Sequence, residues 1–552
     1  MSKSQEPIVS VTEQTPLLEA QLTYYQPLTE PPSEEVPVTE KSTSGIWLLL
    51  PLFLGVFIAN ADTSLVLATY TTISSDFSSL SSSSWLLTAY MLSMCSIQPL
   101  YGKLSNIFGR KALLIFSYIL FGVGNVVCGV APSMGMAITG RFIAGAGGAG
   151  MSSIVSYLIA DLLPIREVAT YRSYVNIVTT VGRSCGGPLG GKLTEMIGWR
   201  WTFLCQAPPT VASILLVAYF IPSTAPSTSD TTNKSLRDQI RRIDFMGSFL
   251  LCKTIVLFLL PITLGGNQLP WKSPTIALLF ASAIVSAVMF VLVESKRAVE
   301  PVFPLVLLKR WDIVAPYGIL LLQNMAQTFM MYSIPLYFQV TARSSPSVSG
   351  YYLVPAVLGN TIGGLATAAY IRRYGRFKTP TNVAAITAAA CHALIVMRWN
   401  GSTGPFEASY AFLGGFGTGA AHSSTFIAVT VATTEEELAI AGGGLYLCGG
   451  VGSVLGVAAA DSTLQAVFKS DFLRQLGETE YTKNIMARLL EDIRYLSEVP
   501  EAVRFAAVAS YVKGFKCDFS KFANMRLLKE RSMLTRQAWL LYAVLCRWSS
   551  VC

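Results

Sequence analysis

Charge is scarce in this chain. Asp, Glu, Lys and Arg make up 13% of its 552 residues, while 52% are hydrophobic. A soluble domain carries about 25% charge, so a chain this long is not a string of soluble domains. Histidine is almost missing, at two residues, His392 and His422, which stand alone in apolar helices without metal-ligand spacing. No Ser-His-Asp or Cys-His constellation can be assembled from them. No phosphate-cradling Gly-rich loop ending in Gly-Lys-Ser/Thr is present, so nothing points to direct drive by ATP. The expectation is a protein that is not an enzyme and that needs no metal and no cofactor. Ten cysteines occur without any CxxC spacing. Seven of them (Cys95, Cys128, Cys185, Cys205, Cys252, Cys391 and Cys448) lie in apolar stretches and read as small fillers between helices.

What is present is one hydrophobic run after another. A bilayer core needs roughly 20 apolar residues per helix. That ruler marks 46–69, 84–101, 112–131, 136–160, 173–191, 202–222, 245–264, 275–293, 313–339, 349–371, 380–397, 409–432 and 438–460. The stretch 501–552 offers only short apolar pieces, Phe505 to Val512 and Ala538 to Cys546, so a last span is expected to be marginal there. Residues 1–44 are polar and lack an apolar period, and are expected to be a disordered tail. No short apolar core with a cleavage site precedes Ile46, so no removable leader is expected.

Two glycine-pinned basic turns punctuate these runs. Gly102 to Lys111 (GKLSNIFGRK) sits between two apolar segments, and Tyr374-Gly375-Arg376-Phe377-Lys378 repeats its ending about 265 residues later. A turn that recurs in both halves points to a transporter built from a duplicated unit. Seventeen Lys and Arg fall in loops on the side of the tail, against Lys192, Arg200, Lys272, Arg343 and Arg398 on the other side. The positive-inside rule therefore puts the tail in the cytosol. This topology accounts for the net charge of +9 and leaves no reason to invoke nucleic acid. The acidic loop 433–437 is the cytosolic exception.

Several motifs resemble one family. The Gly102–Lys111 loop resembles the signature between the second and third helices of the major facilitator superfamily. Arg141 followed by Gly145, Gly147, Gly148 and Gly150 is similar to its fourth-helix motif. Gly182, Gly186, Gly187, Pro188, Gly190 and Gly191 are similar to the fifth-helix motif of its proton antiporters. Asn60-Ala61-Asp62-Thr63, Gly198-Trp199-Arg200-Trp201, Ile243-Asp244-Phe245-Met246-Gly247 and Gly265 to Trp271 resemble its fourteen-span drug:proton antiporter branch. The likeness runs from about residue 45 to 465. Within the branch it is greatest to fungal vacuolar basic amino acid transporters and their multidrug-resistance relatives.

The resemblance implies an all-α polytopic membrane protein of 13–14 spans, with two six-helix bundles and two inserted helices. It divides the chain into a tail (1–44), an N-terminal bundle (45–222), a central loop with the inserted pair (223–310), a C-terminal bundle (311–465) and a non-cytosolic loop with an uncertain last helix (466–552). It implies a proton-coupled secondary transporter moving basic amino acids across the vacuolar membrane. The alternative is a plasma-membrane drug:proton antiporter exporting amphipathic cations. The partners are then a small-molecule substrate, protons and the bilayer.

Three charges within the apolar spans are the candidates for substrate and proton coupling. Asp62 lies past the middle of the first span, where a carboxylate costs about 2.5–3.5 kcal/mol and normally marks an ion or substrate path. A hydrogen bond to a neighbouring helix is the structural alternative. Arg141 is always protonated and must be paired or hydrated, and the resemblance implies a part in proton coupling. Arg183 can grip a substrate carboxylate through two nitrogens, or serve as a structural arginine. Gly102, Asn106, Gly109, Arg110 and Lys111 form the gating loop. Asn106 stands where the family motif usually has an acid, and cannot pair as an anion with Arg110. Gly182, Gly186 and Gly190 share one helix face for close helix approach, and Pro188 permits a kink. Glu13, Leu17 and Leu18 match an acidic dileucine sorting signal for an adaptor, and Asn400-Gly401-Ser402 is a glycosylation sequon in a non-cytosolic loop.

Overall fold

In lipid a backbone must satisfy its own hydrogen bonds, and a chain without long alternating patterns does so as helices. The computed structural model describes residues 45–77, 79, 82, 85–221, 242–265, 269–296, 301–344, 346–491, 495–496 and 498–533. Fourteen long helices follow one another in it: α1 Gly45–Asp76, α2 Trp85–Phe108, α3 Arg110–Gly129, α4 Met134–Leu162, α5 Ile165–Ile197, α6 Trp199–Phe220, α7 Phe245–Leu264, α8 Pro274–Lys296, α9 Trp311–Thr341, α10 Val354–Tyr374, α11 Lys378–Arg398, α12 Ala411–Ala432, α13 Glu435–Leu476 and α14 Glu501–Met533. Of these, α6 is broken at Cys205 and Gln206, where Pro208 and Pro209 open its second segment without backbone donors to lose.

Among the described residues, nine of these helices are long and apolar enough to cross a membrane by composition. The other five, α2, α5, α9, α12 and α14, are diluted by polar residues that turn inward. Gln98, Arg172, Asn176, Gln323, Gln327, Thr418, Ser423 and Ser510 on these helices are all buried. The lipid-facing helices do the opposite: α8 exposes Leu278, Ile284, Val285 and Val288, a surface that only an apolar solvent would leave uncovered.

The helices pack in a pattern that occurs twice. In the first six, α1 packs on α5 and α6, α4 on α2 and α3, and α3 on α6. In the last six, α9 packs on α13 and α14, α12 on α10 and α11, and α11 on α14. The two sets meet reciprocally, α2 against α13 and α10 against α5. The pair α7–α8 stands outside both sets and docks through α7 onto α2 and α13. The two basic turns occupy equivalent places, α2 to α3 and α10 to α11. Gly109 has φ +85° and Gly375 φ +65°, backbone that a side chain disfavours.

At the chain's end the last helix stays below the apolarity of a span, as expected, but it is continuous and packs on α13; Ala538 to Cys546 lies outside the described residues. The helix α13 runs 42 residues, about 63 Å at 1.5 Å per residue, well beyond the run 438–460. A single helix then covers Glu501–Met533, with Ala507, Tyr511, Phe515 and Phe519 buried on one face. Lys513 and Ser510 both reach Asp471 on the extended α13, Ser510 at 3.2 Å. The buried stripe is interleaved with Arg504, Lys513 and Lys516, which lower the mean hydropathy of the segment, so a window average does not register it.

Two smaller expectations are corrected. Cys185 and Cys205 are exposed rather than packed between helices. The acidic segment 433–437 is the start of α13. Thr434 caps it by accepting from the Glu437 amide at 3.3 Å, and Glu437 pairs with Arg310 at 3.0 Å. Acids at a helix N-terminus complement its dipole, which explains the exception to the charge bias.

Candidate functional site

Asp62 and Arg141 meet at the centre of the first six helices. The Arg141 guanidinium donates to Asp62 Oδ2 at 2.7 Å, and both side chains are fully buried. The break in α6 turns Gln206 inward, and its amide donates to Asp62 Oδ1 at 3.1 Å. Asn125 on α3 donates in turn to Gln206 Oε1 at 3.1 Å. Arg141 also donates through Nε to the Leu86 carbonyl at 3.3 Å and lies over the Tyr90 ring at 4.4 Å. Its remaining NH2 nitrogen has no partner. One carboxylate thus holds one guanidinium in a dry setting, and a proton on Asp62 would cancel the attraction.

The α2–α3 loop, expected to act as a gate, finds its anion elsewhere in the chain. Arg110 Nε donates to Asp161 Oδ2 at 3.0 Å, at the end of α4. Asn106 Oδ1 accepts from the same guanidinium at 2.6 Å, and Ser105 also accepts from it. Asn106 therefore serves Arg110 as a neutral acceptor while Asp161 supplies the charge. Lys111 donates to the Ala218 carbonyl at 2.8 Å, tying α3 to the end of α6. Gly102 lies against the backbone of Ala439 and Ile440 on α13, so this loop sits where the two helix sets meet.

On α5 the glycine face packs on α1. A Cβ on Gly182 would lie 2.8 Å from the Phe57 carbonyl oxygen, one on Gly186 would collide with the Ala61 carbonyl, and one on Gly190 would lie 2.7 Å from Leu65. Gly187 is at the edge of this contact, a Cβ there reaching the Ser64 carbonyl oxygen at 3.7 Å, and Gly191 meets nothing within 4 Å. The helix continues through Pro188. Across the repeat, Gly452 and Gly456 on α13 press on the backbone at Leu321 and Met325 of α9.

A second face of α5 looks to the last six helices. Arg172, Asn176, Thr180 and Arg183 fall at i, i+4, i+8 and i+11, one polar stripe. Asn176 donates to Asn360 on α10, and Asn360 donates to Thr180 at 3.0 Å. Ser173 donates to the Gly364 carbonyl at 2.8 Å and meets Ser423 on α12 at 2.9 Å. Arg172 donates to Ser156, which in turn contacts Tyr446 of α13. These contacts close the half of the interface that the charge bias assigns to the cytosol. Arg183, further along, is exposed and donates to Asn60 Oδ1 at 3.2 Å. It is within electrostatic reach of Tyr90 and His422, and His422 Nε2 lies 2.8 Å from Asn324 Oδ1. Arg183 thus faces the space between the two sets.

Neither Arg183 nor Arg172 has a carboxylate partner among the described residues. Arg172 reads in the sequence as a loop residue, yet it is buried in the second turn of α5. Gln206, Asp161 and Tyr446 also lack a sequence signal of their own. Only the polar i, i+4, i+8, i+11 spacing on α5 announces its stripe. Asn400 is exposed, and its Oδ1 accepts from Lys516. Glu13, Leu17 and Leu18 lie outside the described residues.

A family model described as the Major Facilitator Superfamily matches residues 52–457. The chain belongs to the major facilitator superfamily. This transporter is 34% identical, over 84% of its length and 79% of the relative's, to the vacuolar membrane amino acid uptake transporter fnx2 of Schizosaccharomyces pombe. It is 30% identical to the multidrug resistance protein fnx1 of the same organism, over 86% of this chain and 90% of that one. It is 27% identical to vacuolar basic amino acid transporter 2 of Saccharomyces cerevisiae, over 79% and 94%. Two solved structures share the fold. The human organic anion transporter MFSD10 superposes with a TM-score of 0.52 at 13% identity, covering 87% of this chain and 99% of that one. The proton:xylose symporter XylE does so with a TM-score of 0.52 at 15% identity, covering 87% and 94%. The protein is a multi-pass membrane transporter for small molecules.

Proposed function

We propose that this transporter is a proton-coupled exchanger of the vacuolar membrane that moves amino acids, basic ones among them, from cytosol to vacuole. The observation that carries the coupling is the dry Asp62–Arg141 pair. A proton taken by Asp62 leaves Arg141 buried without its counter-charge over the Tyr90 ring. Breaking such a pair costs about 3–5 kcal/mol, enough to favour a rearranged bundle. Exchange of the proton then drives the swing between the two access states.

Amino acids are favoured as substrate by Arg183, an exposed guanidinium without an acid partner among the described residues, suited to a carboxylate. Similarity to two vacuolar amino acid transporters supports the same choice. Similarity to a multidrug resistance protein motivates the second reading, a plasma-membrane exporter of amphipathic cations. A lone cation gains nothing from Arg183, which ranks that reading below the first. The tail signal at Glu13, Leu17 and Leu18 would route the protein through an adaptor, and Asn400 would carry a glycan on the vacuolar side.

Uptake of labelled lysine, arginine and histidine into isolated vacuolar vesicles tests the reading. Gradient-dependent uptake that disappears in Asp62→Asn is expected. Full uptake by Asp62→Asn with an unchanged pH profile defeats it. A protein found at the cell surface that exports drug cations supports the second reading instead.

A further inference from the structure

Arg172 is a cation that the closed interface leaves unbalanced. It is 5% exposed, donates to Ser156, and lies 4.4 Å from the Phe426 ring centroid and 5.5 Å from that of Tyr446. Its Nε has no partner, and no described carboxylate pairs with it. Phe426 and Tyr446 belong to α12 and α13, so the last six helices supply much of its cover. Parting of α12 and α13 from α5 would take both rings away from the guanidinium.

Arg172 and Arg183 stand on one face of α5. Eleven residues separate them, about 16.5 Å along the axis and about 20° around it. In the present state Arg183 is exposed and Arg172 is covered. Between them Asn176 and Thr180 offer only neutral groups, held by Asn360.

We propose that Arg172 is the cytosolic station for the substrate's carboxylate, and that α5 passes this carboxylate between two guanidiniums, Arg172 on the cytosolic side and Arg183 on the vacuolar side. The proposal rests on the amino-acid reading above and adds a residue and an order of contacts to it. A guanidinium attracts a carboxylate over distance and then holds it in a planar, two-point contact. The capture site is assembled only when the cytosolic half opens, so substrate arriving from the cytosol meets an anion-seeking group that is hidden in the other state.

The test is sided transport in proteoliposomes, with lysine and lysinamide as probes. The two share every cationic group and differ in the carboxylate. Arg172→Gln is expected to raise the KM for lysine added at the cytosolic face at least tenfold. It should leave the KM at the vacuolar face within about twofold and leave inhibition by lysinamide unchanged. Arg183→Gln is expected to reverse the two faces. A merely structural latch at Arg172 would change lysine and lysinamide alike, or both faces equally, and either result overturns the proposal. If Arg172→Gln does not insert, Arg172→Lys keeps the charge but loses the fork; its cytosolic KM should rise severalfold, and an unchanged KM overturns the proposal. A wild-type protein that carries no carboxylate-bearing amino acid sinks the amino-acid reading as well. Wild-type lysine transport with an unaltered KM in Arg172→Gln sinks this inference alone.

Discussion

Asp62 and Arg141 illustrate how a side chain's value depends on its partner. Each was conspicuous in the sequence as a charge within an apolar run, but their contact joins positions 79 apart, and no local pattern encodes that. Asp62→Asn should lower the melting temperature, because Arg141 loses its buried counter-charge at a cost of about 3–5 kcal/mol. Asp62→Asn combined with Arg141→Met should recover much of that stability and none of the gradient-driven uptake. Melting scans paired with uptake assays separate the two roles; recovery of both would remove Asp62 from the coupling step. A surface pair behaves differently. Asp76 donates no proton at working pH: hydrogen bonds from Arg200 and Trp199 hold its carboxyl below the usual range. A depressed folded-state pKa contributes stability above the unfolded value, about 3.9 for Asp, and the contribution fades as pH falls through the lower folded value. Arg200→Gln should therefore melt earlier than wild type by the same margin at pH 7 and pH 5, and the margin should close below about pH 4. Both groups are nearly half exposed, so the margin is small.

Among elements, the α1–α5 contact makes the sharpest prediction because its glycines are not equivalent. A methyl group on Gly186 meets the Ala61 carbonyl, while Gly191 faces open space. Gly186→Ala should destabilise by about 1–3 kcal/mol through overpacking and slow transport. Gly191→Ala should be neutral or stabilise by up to about 1 kcal/mol through helix propensity. Thermal melts of the two variants decide this, and equal effects would mean that α5 does not press on α1 through that face. The spacing of Gly182, Gly186 and Gly190 made the face legible, whereas Gly187 and Gly191 joined it only by motif. Helix α14 was illegible for a related reason. Its buried residues recur every four positions between Arg504, Lys513 and Lys516, and its anchor Asp471 lies on a different helix. Hydropathy scanning sees the average of a helix, and a helix whose apolar contacts are interleaved with charges hides in that average.

Across the whole molecule, the repeated packing order and the reciprocal α2–α13 and α5–α10 contacts describe two bundles meeting along a seam. The recurring basic turns hinted at this repeat, but the seam itself depends on pairs such as Asn176 with Asn360, 184 positions apart. Alternating access requires that seam to part on the cytosolic side while the packing within each bundle persists. Asn176 and Asn360 are in contact, so Asn176→Cys with Asn360→Cys in a background without the exposed Cys185 and Cys205 should cross-link under mild oxidation. The cross-link should stop transport, and reductant should restore it. Exposure of Arg183 should survive the lock, because the bundles stay closed only at the other end. A cysteine at Arg183 in the locked protein should then react with an impermeant thiol reagent from the face opposite the basic loops and stay silent from the other face. Continued transport in the cross-linked protein would mean that the α5–α10 contact does not open in the cycle, and the bundles would have to separate along α2 and α13 instead.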